Sequence, residues 1–406
     1  MSQSKSQTPG LRRRLGVVSL TLYGVGVTVG AGIYVLVGKV AGLAGGMAPL
    51  AFLIAAVVAG MTAMSFAELS VRYPRSAGEA IYIREGFGSA LASLVIGLAV
   101  AAAGLVSAGA VVVGSSGYVG TLVPLPLWSI QILLVVILSG IAIWGIAESV
   151  AIIGLITILE TGGLLLILVV ALPAALDGPA VATSAATPGF DGMMAAVVIA
   201  FFAFIGFEDM VNVAEEVREP ERTMPRAIVV TLVITTLLYV SLSWVSSAVT
   251  GADALAASDA PLSLVFEQAT GWSAAPFAVL AAFATLNGAL VLIIMGSRIF
   301  YGMACQGTLP KVLAGVWTAT GTPVVATLAA AAFVLIAVLS LPIETLAQAG
   351  SVLTLTVFTV VNLALVAIKR KRIMTKGSFH VPVWWPWLAA LASGGVLAGE
   401  IARLAF

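Results

Sequence analysis

The amino-acid sequence predicts an all-α polytopic membrane protein with about eleven transmembrane helices, of which the first and the sixth are broken. Two observations favour this fold class. Hydrophobic residues make up 61% and charged residues 9% of the 406 residues, which is far too apolar for a soluble domain. The mean hydropathy is +1.14, and the apolar residues form runs that reach the roughly 20 residues a membrane span needs.

The apolar runs can be placed in order along the chain. Their centres lie near residues 28, 59, 103, 136, 161, 204, 238, 289, 332, 356 and 395. Little of the chain remains for a soluble domain. The polar start, Met1 to Gly10, contains no apolar region with a small-residue cleavage site. We therefore expect the first span itself to direct membrane insertion.

Two of the runs contain unusual interruptions. Four glycines fall within Gly24–Ile33, in the middle of the first run, and Phe202–Glu208 interrupts the sixth run half a chain later. In lipid, irregular backbone survives only where it is buried in protein or lines a cavity. Close helix packing is the alternative explanation for such glycines, but these four do not share one helical face. Paired interruptions therefore predict the substrate site of a secondary transporter.

The spans divide into two sets of five, each beginning with a broken helix. We predict a tail at residues 1–14, a first repeat at 15–172, a second repeat at 190–368 and an added eleventh helix at 380–406. An odd number of helices in each set makes the repeats inverted. The positive ends of half-helices bind anions and the free carbonyl ends bind cations. Together these ends suit a zwitterion such as an amino acid.

The distribution of basic residues predicts the orientation. With a cytoplasmic N-terminus, seventeen of the nineteen lysines and arginines fall in cytoplasmic segments, and only Lys39 and Arg403 lie near outward helix ends. This pattern follows the positive-inside rule. It depends on a very short turn near Glu148 between the fourth and fifth spans. We expect a multi-pass protein of the cytoplasmic membrane whose C-terminus faces outward.

Several function classes are disfavoured by what the sequence lacks. Cys305 is the single cysteine and His380 the single histidine, which argues against an internal disulfide and a metal site. There is no His-Glu-x-x-His motif and no phosphate loop, so an enzyme is not expected. A channel or a transporter-like sensor remains a different-class alternative. We expect no cofactor, no metal and no nucleic-acid partner.

A series of short motifs follows the breaks in a specific order. They include Val29 to Leu36, Tyr73 to Glu79, Phe201 to Glu208, Pro220 to Ile228 and Ser297 to Met303. With these motifs the chain resembles the amino acid–polyamine–organocation superfamily over almost its whole length. It looks most like the bacterial relatives of the cationic amino acid transporters. The resemblance implies a LeuT-like fold built from five plus five inverted-repeat helices.

The resemblance also implies a substrate site at the two breaks. The backbone of Gly30–Ile33 would hold the substrate carboxylate, the carbonyls of Phe202–Ile205 would hold the amino group, and Phe202 would act as an aromatic gate. Several relatives have a lysine in the fifth span where this chain has Gly163, so coupling through a lysine is not expected. The predicted substrate-binding residues are Thr28, Val29, Gly30, Ala31, Gly32, Ile33, Ser107, Phe202, Ala203, Phe204 and Ile205.

Two acids lie within predicted spans. Glu160 has no base one helical turn away, and a carboxyl desolvated without a partner tends to keep its proton. We predict a role in proton coupling or gating for Glu160, with a hydrogen bond to a neighbouring helix as the alternative. Glu208 follows the second break and is either a coupling residue or a stabiliser of that break, accepting from free NH groups of the first span. Thr285 and Asn287 are candidates for a sodium site, although interhelical hydrogen bonds would also explain them.

The function expected from these features is secondary active transport of L-amino acids by alternating access across the lipid bilayer. The predicted pocket is lined by small and aromatic residues without an acidic pair, which favours neutral substrates over cationic amino acids or polyamines. We expect protons as the coupling ion, with sodium as the alternative. Exchange or export in place of import, and a monomer or a dimer, remain open.

Overall fold

The computed structural model describes residues 15–29, 32–74, 78–144, 150–177, 189–305, 307, 309–371 and 379–405. Within these ranges the chain is helical and contains isolated β-bridges but no β-strand. Nine helical stretches there are long and apolar enough to cross a membrane, and Val17–Val29 and Val324–Ser340 are shorter apolar helices. The predicted all-α, multi-span fold is thereby confirmed. The turn near Glu148, on which the predicted orientation depends, lies outside the described residues.

The first half of the chain contains the broken first span and four further spans. A single 3₁₀ turn, Gly45–Met47, separates the second half of the first span from the second span. A short helix that is much less apolar than the spans follows the second span and lies outside the bilayer segments. The helices are α1 (Val17–Val29), α2 (Gly32–Ala44), α3 (Ala48–Arg72), α4 (Gly78–Phe87), α5 (Ala90–Gly120), α6 (Leu127–Trp144) and α7 (Val150–Asp177).

The second half repeats this order, with a broken span followed by four continuous ones and a final added helix. A 3₁₀ helix, Phe207–Glu216, continues the broken sixth span, and two short helices join the seventh span to the eighth. The α-helices are α8 (Phe190–Phe202), α9 (Pro220–Thr250), α10 (Ala252–Ala257), α11 (Pro261–Thr270), α12 (Ala275–Cys305), α13 (Val324–Ser340), α14 (Ile343–Arg370) and α15 (Trp385–Ala405).

Helices at equivalent positions in the two halves pack against each other. The second span of each half meets its counterpart as α3 against α9, the third as α5 against α12, and the fourth as α6 against α13. An aromatic cluster fills the space between the halves, with the Phe66 ring 6.0 Å from Phe207 and 5.4 Å from Phe358. Such edge-on ring pairs add to the stabilisation from apolar burial. The apolar core of the described residues forms two clusters, and each contains side chains from both halves.

The two ends of the helix bundle differ in charge. We call the end that contains the start of α1 and the end of α3 the basic face, and the other end the opposite face. On the basic face the buried carboxylate of Glu68 lies 2.6 Å from Arg72 and 2.8 Å from Lys369. On the opposite face Lys39 of α2 lies 3.0 Å from Glu344 at the start of α14. On each face an ion pair thus joins two spans.

Candidate functional site

The two helix breaks lie against each other in the centre of the bundle. The first break lies between the end of α1 at Val29 and the start of α2 at Gly32, and the second lies between Phe202 and Phe207. A Cβ atom added at Gly32 would overlap the Cα of Ala203. Only glycine permits so close an approach of two backbones. The predicted meeting of the two breaks is therefore a backbone-to-backbone contact.

A tyrosine from a third helix joins the two breaks. The hydroxyl of Tyr239, on α9, lies 2.9 Å from the carbonyl oxygen of Thr28 and 2.9 Å from that of Ala203. A phenol has one proton, so the hydroxyl shares it between the two carbonyls. The Tyr239 ring is fully buried and packs edge-on against Phe204, with ring centres 5.0 Å apart. Tyr239 thus fixes the positions of two carbonyls, one from each break.

The second break has its own local stabilisation. Gly206 has a φ angle of +125°, which disfavours residues with a side chain, and an added Cβ would lie 2.7 Å from the Val27 carbonyl oxygen. The amide of Gly206 donates to Oε2 of Glu208 at 2.8 Å. The sequence had suggested a hydrogen bond from the first span to Glu208. The structure shows the Gly206 amide of its own span as a donor, because the tight turn places this amide over the carboxylate two residues later. The amides of Gly30 and Ala31 in the first span lie outside the described residues.

The predicted residues of the first break contribute mainly backbone. Val29 and Ile33 are fully buried in the apolar core, and the hydroxyl of Thr28 donates to the carbonyl of Gly24 at 2.7 Å. Gly30 and Ala31 lie outside the described residues. The start of α2 at Gly32 presents the NH groups that no helical carbonyl satisfies. A ligand at this break would therefore meet main-chain groups and the positive end of α2.

Three predicted residues of the second break have distinct surroundings. Phe204 is fully buried, Ala203 lies against α2, and Ile205 is only partly buried and packs on the core. Their amides complete a tight turn, since Ala203 NH donates to the Ala200 carbonyl at 3.1 Å and Phe204 NH to the Phe201 carbonyl at 2.9 Å. The turn leaves the helical ladder of α8 at this point. Carbonyl groups of the turn are therefore available to partners other than their own helix.

Ser107 and Phe202 meet at a glycine of α14. A Cβ atom added at Gly350 would lie 2.9 Å from Oγ of Ser107 and 3.1 Å from Cε2 of Phe202. The Ser107 hydroxyl is buried and has no hydrogen-bond partner among the described residues. The structure thus brings the predicted gate Phe202 and the predicted contact Ser107 together, next to the breaks. Sequence reasoning missed Gly350, because a single glycine in a long apolar helix carries no distinctive pattern.

Glu160 is buried in the middle of α7 and has a partner on another span. Asn287 of α12 donates its side-chain amide to Oε1 of Glu160 at 3.3 Å, while Oε2 has no partner in the described part of the chain. The Tyr34 hydroxyl donates to the main-chain carbonyl of Glu160 at 2.6 Å, and Tyr118 in turn donates to the Tyr34 carbonyl. Hydrogen bonds therefore connect α5, α2 and α7 beside the carboxyl group.

The space beside Gly163 is occupied by other side chains. A Cβ atom added at Gly163 would lie 2.6 Å from the Tyr34 hydroxyl and would also overlap the side chain of Leu280. A lysine at this position would require the side chains of Leu280 and Tyr34 to move. The departure from the relatives that carry a lysine here is therefore accommodated by packing.

A search against protein-family models matches the amino acid permease family over residues 15–398. The chain belongs to the amino acid permease family. This membership also places it in the amino acid–polyamine–organocation superfamily and agrees with its LeuT-like helix order.

Curated relatives of the permease differ in the substrates that their names give. A branched-chain amino acid permease of Bacillus subtilis is 28% identical over 394 residues, covering 92% of this chain and 84% of the relative. A vacuolar cationic amino acid transporter of Arabidopsis thaliana is 32% identical over 383 residues, covering 88% of this chain and 60% of the relative. A methylthioribose transporter of Bacillus subtilis is 28% identical over 405 residues, covering 94% and 86%.

The two candidate sodium ligands of the permease point to different helices. The Thr285 hydroxyl bonds the Ala281 carbonyl at 2.9 Å and the Ser115 hydroxyl of α5 at 2.7 Å. Asn287 instead faces Glu160 on α7. Both side chains are thus engaged in hydrogen bonds between or within helices, which is the alternative that the sequence had left open.

Sequence reasoning missed Tyr239 as a site residue, although the sequence contains a pattern that could have identified it. Along α9 a hydroxyl group recurs at every fourth residue from 231 to 247. One turn of an α-helix takes 3.6 residues, so side chains four apart are neighbours on the helix surface. The recurrence therefore indicates a polar stripe that faces the protein interior, with the tyrosine at its centre.

Proposed function

We propose that this permease is a secondary active transporter that moves L-amino acids by alternating access. The observation that carries this proposal is the contact of the two breaks, where Tyr239 bonds Thr28 of one and Ala203 of the other. Main-chain groups of the two breaks lie close together in the bundle centre, since a Cβ atom added at Gly32 would overlap the Cα of Ala203. Paired broken helices are the design by which many transporters bind a substrate between two inverted repeats.

The amino acid would bind with its two charged groups at opposite half-helix ends. The carboxylate would accept from the backbone at Gly30, Ala31, Gly32 and Ile33, where the positive end of α2 favours an anion. The ammonium would donate to carbonyls of Phe202–Ile205, with Thr28 and Val29 supplying carbonyls from the end of α1. Ser107 and Phe202 would contact the rest of the substrate, and Phe202 would close over it.

A neutral side chain is the substrate class that these surroundings favour. The groups that meet beside the breaks are the Ser107 hydroxyl, the Phe202 ring and Gly350, and none of them carries a charge. The branched-chain permease among the relatives agrees with a neutral substrate, whereas the cationic transporter supports the alternative of a cationic amino acid or a polyamine. The methylthioribose transporter shows that relatives at this level of identity carry quite different substrates.

Coupling to protons is proposed through Glu160. Its carboxyl is fully buried and one of its oxygens has no partner in the described residues. A charge at the middle of a span costs about 2.5–3.5 kcal/mol on insertion scales, so the neutral carboxyl is favoured until water reaches it. Glu208 is a second candidate, bound to the Gly206 amide. Sodium at Thr285 or Asn287, and amino acid exchange or export, are the alternatives.

The proposed membrane arrangement places the basic face in the cytoplasm. Positive charge on the cytoplasmic side is the rule for short loops of membrane proteins, and the described arginines and lysines other than Lys39 and Arg403 belong to the basic face. The N-terminus would then be cytoplasmic and the C-terminus outside. We further propose repeats at 15–172 and 190–368 with an added helix at 380–406, because equivalent helices of the two halves pack together.

Transport in proteoliposomes tests the proposal. The purified permease is reconstituted, and uptake of a panel of labelled amino acids is measured under an inward proton gradient with and without sodium. We expect saturable, stereoselective accumulation of neutral L-amino acids driven by the proton gradient alone. Uptake that requires sodium would mean that sodium, and not the proton, is the coupling ion. Uptake only into vesicles preloaded with amino acid would mean exchange. No transport of any amino acid would refute the substrate class.

A substitution at Glu160 tests the coupling separately. Glu160→Gln keeps the shape of the side chain and removes its titration. We expect proton-driven accumulation to disappear while exchange of amino acid across the membrane persists. Glu267→Gln, at an exposed acid of α11, is the control. Full pH-dependent accumulation by Glu160→Gln would rule out its coupling role.

A further inference from the structure

A group of buried hydroxyls without partners lines the second half of α9. They lie on α9 and on α11, each is more than nine-tenths buried, and none has a hydrogen-bond partner in the described part of the chain. Burying a hydroxyl without a hydrogen bond is unfavourable, so such groups need an explanation. We call this group the hydroxyl track: Ser243, Ser246, Ser247, Thr250 and Ser263.

Some other hydroxyls in the spans of this permease have partners, whereas five outside the track have none in the described part of the chain: Thr21, Ser65, Ser107, Thr161 and Thr231. Thr235, on the first half of the same helix, donates to the Thr231 carbonyl at 3.0 Å. Ser115 and Ser139 likewise donate to the carbonyl four residues earlier, at 2.8 and 2.6 Å. Bonding to the preceding turn is the common solution for serine and threonine within helices. The hydroxyl track departs from that solution in five neighbouring places.

The track members on α9 share one side of the helix with Tyr239. At 100° per residue, the positions from 239 to 250 that carry these hydroxyls fall within an arc of about 100°. Trp244 and Ala248 lie on the far side of the helix, where Trp244 is 43% exposed. The fifth member, Ser263, comes from α11, which packs against α9. The track therefore runs inside the protein, away from the bilayer.

The track connects two places of different character. It begins one turn beyond Tyr239, whose hydroxyl bonds the carbonyls of both breaks, and it ends at Thr250, the last residue of α9 on the opposite face. At a rise of 1.5 Å per residue, Tyr239 and Thr250 lie about 16.5 Å apart along the helix. Its members can both donate and accept hydrogen bonds, and none is charged. A ligand on the track must therefore be small, neutral, and both donor and acceptor.

We propose that the hydroxyl track binds a column of ordered water that leads from the opposite face to Tyr239. Water makes two to four hydrogen bonds in buried polar sites and would satisfy the five hydroxyls together. The column reaches Tyr239, whose hydroxyl bonds the carbonyls of Thr28 and Ala203, and so it leads to one edge of the proposed amino acid site. It does not depend on which substrate or coupling ion the permease uses.

Silver-ion accessibility of engineered thiols tests this water column without measuring transport. Ag⁺ reacts with thiols, travels in water and is excluded from hydrocarbon. In a Cys305→Ser background, single variants Ser243→Cys, Ser247→Cys and Ala248→Cys are exposed to Ag⁺ in nitrate buffer. The thiol that remains is then counted by maleimide labelling after denaturation. Ala248→Cys lies beside Ser247 on the far side of the helix and is the matched control.

We expect the thiols at 243 and 247 to react about tenfold faster than the thiol at 248, because they face water and the control does not. Equal rates at 247 and 248, or no reaction at 243, would overturn the proposal. Size-exclusion profiles that match the parent protein establish that each variant is folded.

A stability measurement gives an independent answer. If the track were dry, Ser247→Ala would remove an unsatisfied hydroxyl and raise the Tm. If the hydroxyl binds water, the same change loses a hydrogen bond and does not raise the Tm. Ser241→Ala, at a partly exposed position of α9, corrects for the helix propensity of alanine. A Tm gain for Ser247→Ala beyond that of Ser241→Ala would contradict the water column.

Discussion

The two helix breaks of this permease are built in different ways although they occupy equivalent places in the two halves of the chain. The first relies on glycines whose missing side chains admit close neighbours, as at Gly32 against Ala203. The second has one glycine with a φ angle of +125°, Gly206, and a carboxylate from Glu208 that caps its amide. After the first break the chain resumes as an α-helix, and after the second as a 3₁₀ helix.

The difference shows that the free main-chain groups at a break in a membrane helix can be stabilised either by close packing or by a capping side chain. Glycine brings another backbone near and lets main-chain groups from two spans share partners. A carboxylate satisfies the free amide within its own segment and adds a titratable group. The second break is therefore followed by two acids, Glu208 and Asp209, whereas the first is followed by none. Substitutions at each break separate these two mechanisms.

Gly32→Ala should have the largest effect. Its Cβ would overlap the Cα of Ala203, and backbone atoms cannot move aside as a flexible side chain can. We expect uptake to be lost and the free energy of unfolding to fall by about 1–3 kcal/mol, as in other overpacked sites. Uptake in proteoliposomes and the Tm measure this.

Gly60→Ala is the control for Gly32→Ala. Gly60 lies on α3, and no atom lies within 4 Å of its added Cβ. This change should preserve uptake and stabilise the helix by up to about 1 kcal/mol. Normal uptake by Gly32→Ala would show that the two breaks are not in close contact during transport.

Tyr239→Phe should have the next largest effect because it acts on both breaks at once. The change keeps the ring packing and removes the hydroxyl that bonds Thr28 and Ala203. Leaving a buried acceptor without its partner costs about 1–3 kcal/mol, so we expect uptake to fall by about tenfold. Tyr301→Phe, at a partly exposed position of α12, serves as the control. An unchanged uptake rate would mean that the shared bond does not set the site geometry.

Substitutions of Glu208 should affect only the second break, and more weakly. Glu208→Ala removes the acceptor of the Gly206 amide, whereas Glu208→Gln retains an acceptor oxygen without the charge. If capping is what matters, alanine should lower the Tm by more than glutamine, by the equivalent of about 1 kcal/mol. Thermal unfolding of the two variants compares them directly. Equal decreases in Tm for the two variants would mean that the charge of Glu208, and not its hydrogen bond, stabilises the break.

Glu79→Gln should have the smallest effect on uptake and a pH-dependent effect on stability. Glu79 lies on α4, outside the spans, and burial raises its pKa from 4.5 to about 7, with the nearby Asp209 adding to the shift. The raised pKa means that the folded state holds the proton more tightly than the unfolded state. The stability present below pH 4.5 is therefore lost progressively as the pH rises to about 7.

Thermal unfolding at two pH values measures the contribution of Glu79. At pH 8 the variant should have a higher Tm than the parent, because it carries no buried charge, and at pH 4.5 the two should match. Tyr82, whose pKa burial also raises, stays neutral across this range and does not alter the sign. A Tm difference that is the same at both pH values would contradict a titrating Glu79.

The sequence was informative about those parts of the site that have a local cause. The break at Gly24–Ile33 could be predicted because glycines in an apolar run weaken the helix wherever it packs. The second break was marked by a single glycine, Gly206, whose positive φ follows from the turn itself. Phe202 was proposed as the gate through the resemblance to relatives, whereas its position near Ser107 follows from the packing of both residues against Gly350. The Gly206 amide was not foreseen as a partner of Glu208, because this hydrogen bond depends on the exact geometry of the turn.

By itself, the sequence determined that this protein is an all-α, multi-span membrane protein and predicted about eleven spans with two breaks, because hydrophobicity and glycine content act on each segment locally. Only the tertiary structure decided what meets at those breaks. Tyr239 bonds a carbonyl 211 positions away, Asn287 reaches Glu160 across 127 positions, and Gly350 makes room for Phe202. Such contacts depend on the relative depth and rotation of packed helices, which side-chain volumes across the whole bundle fix together and no local pattern encodes.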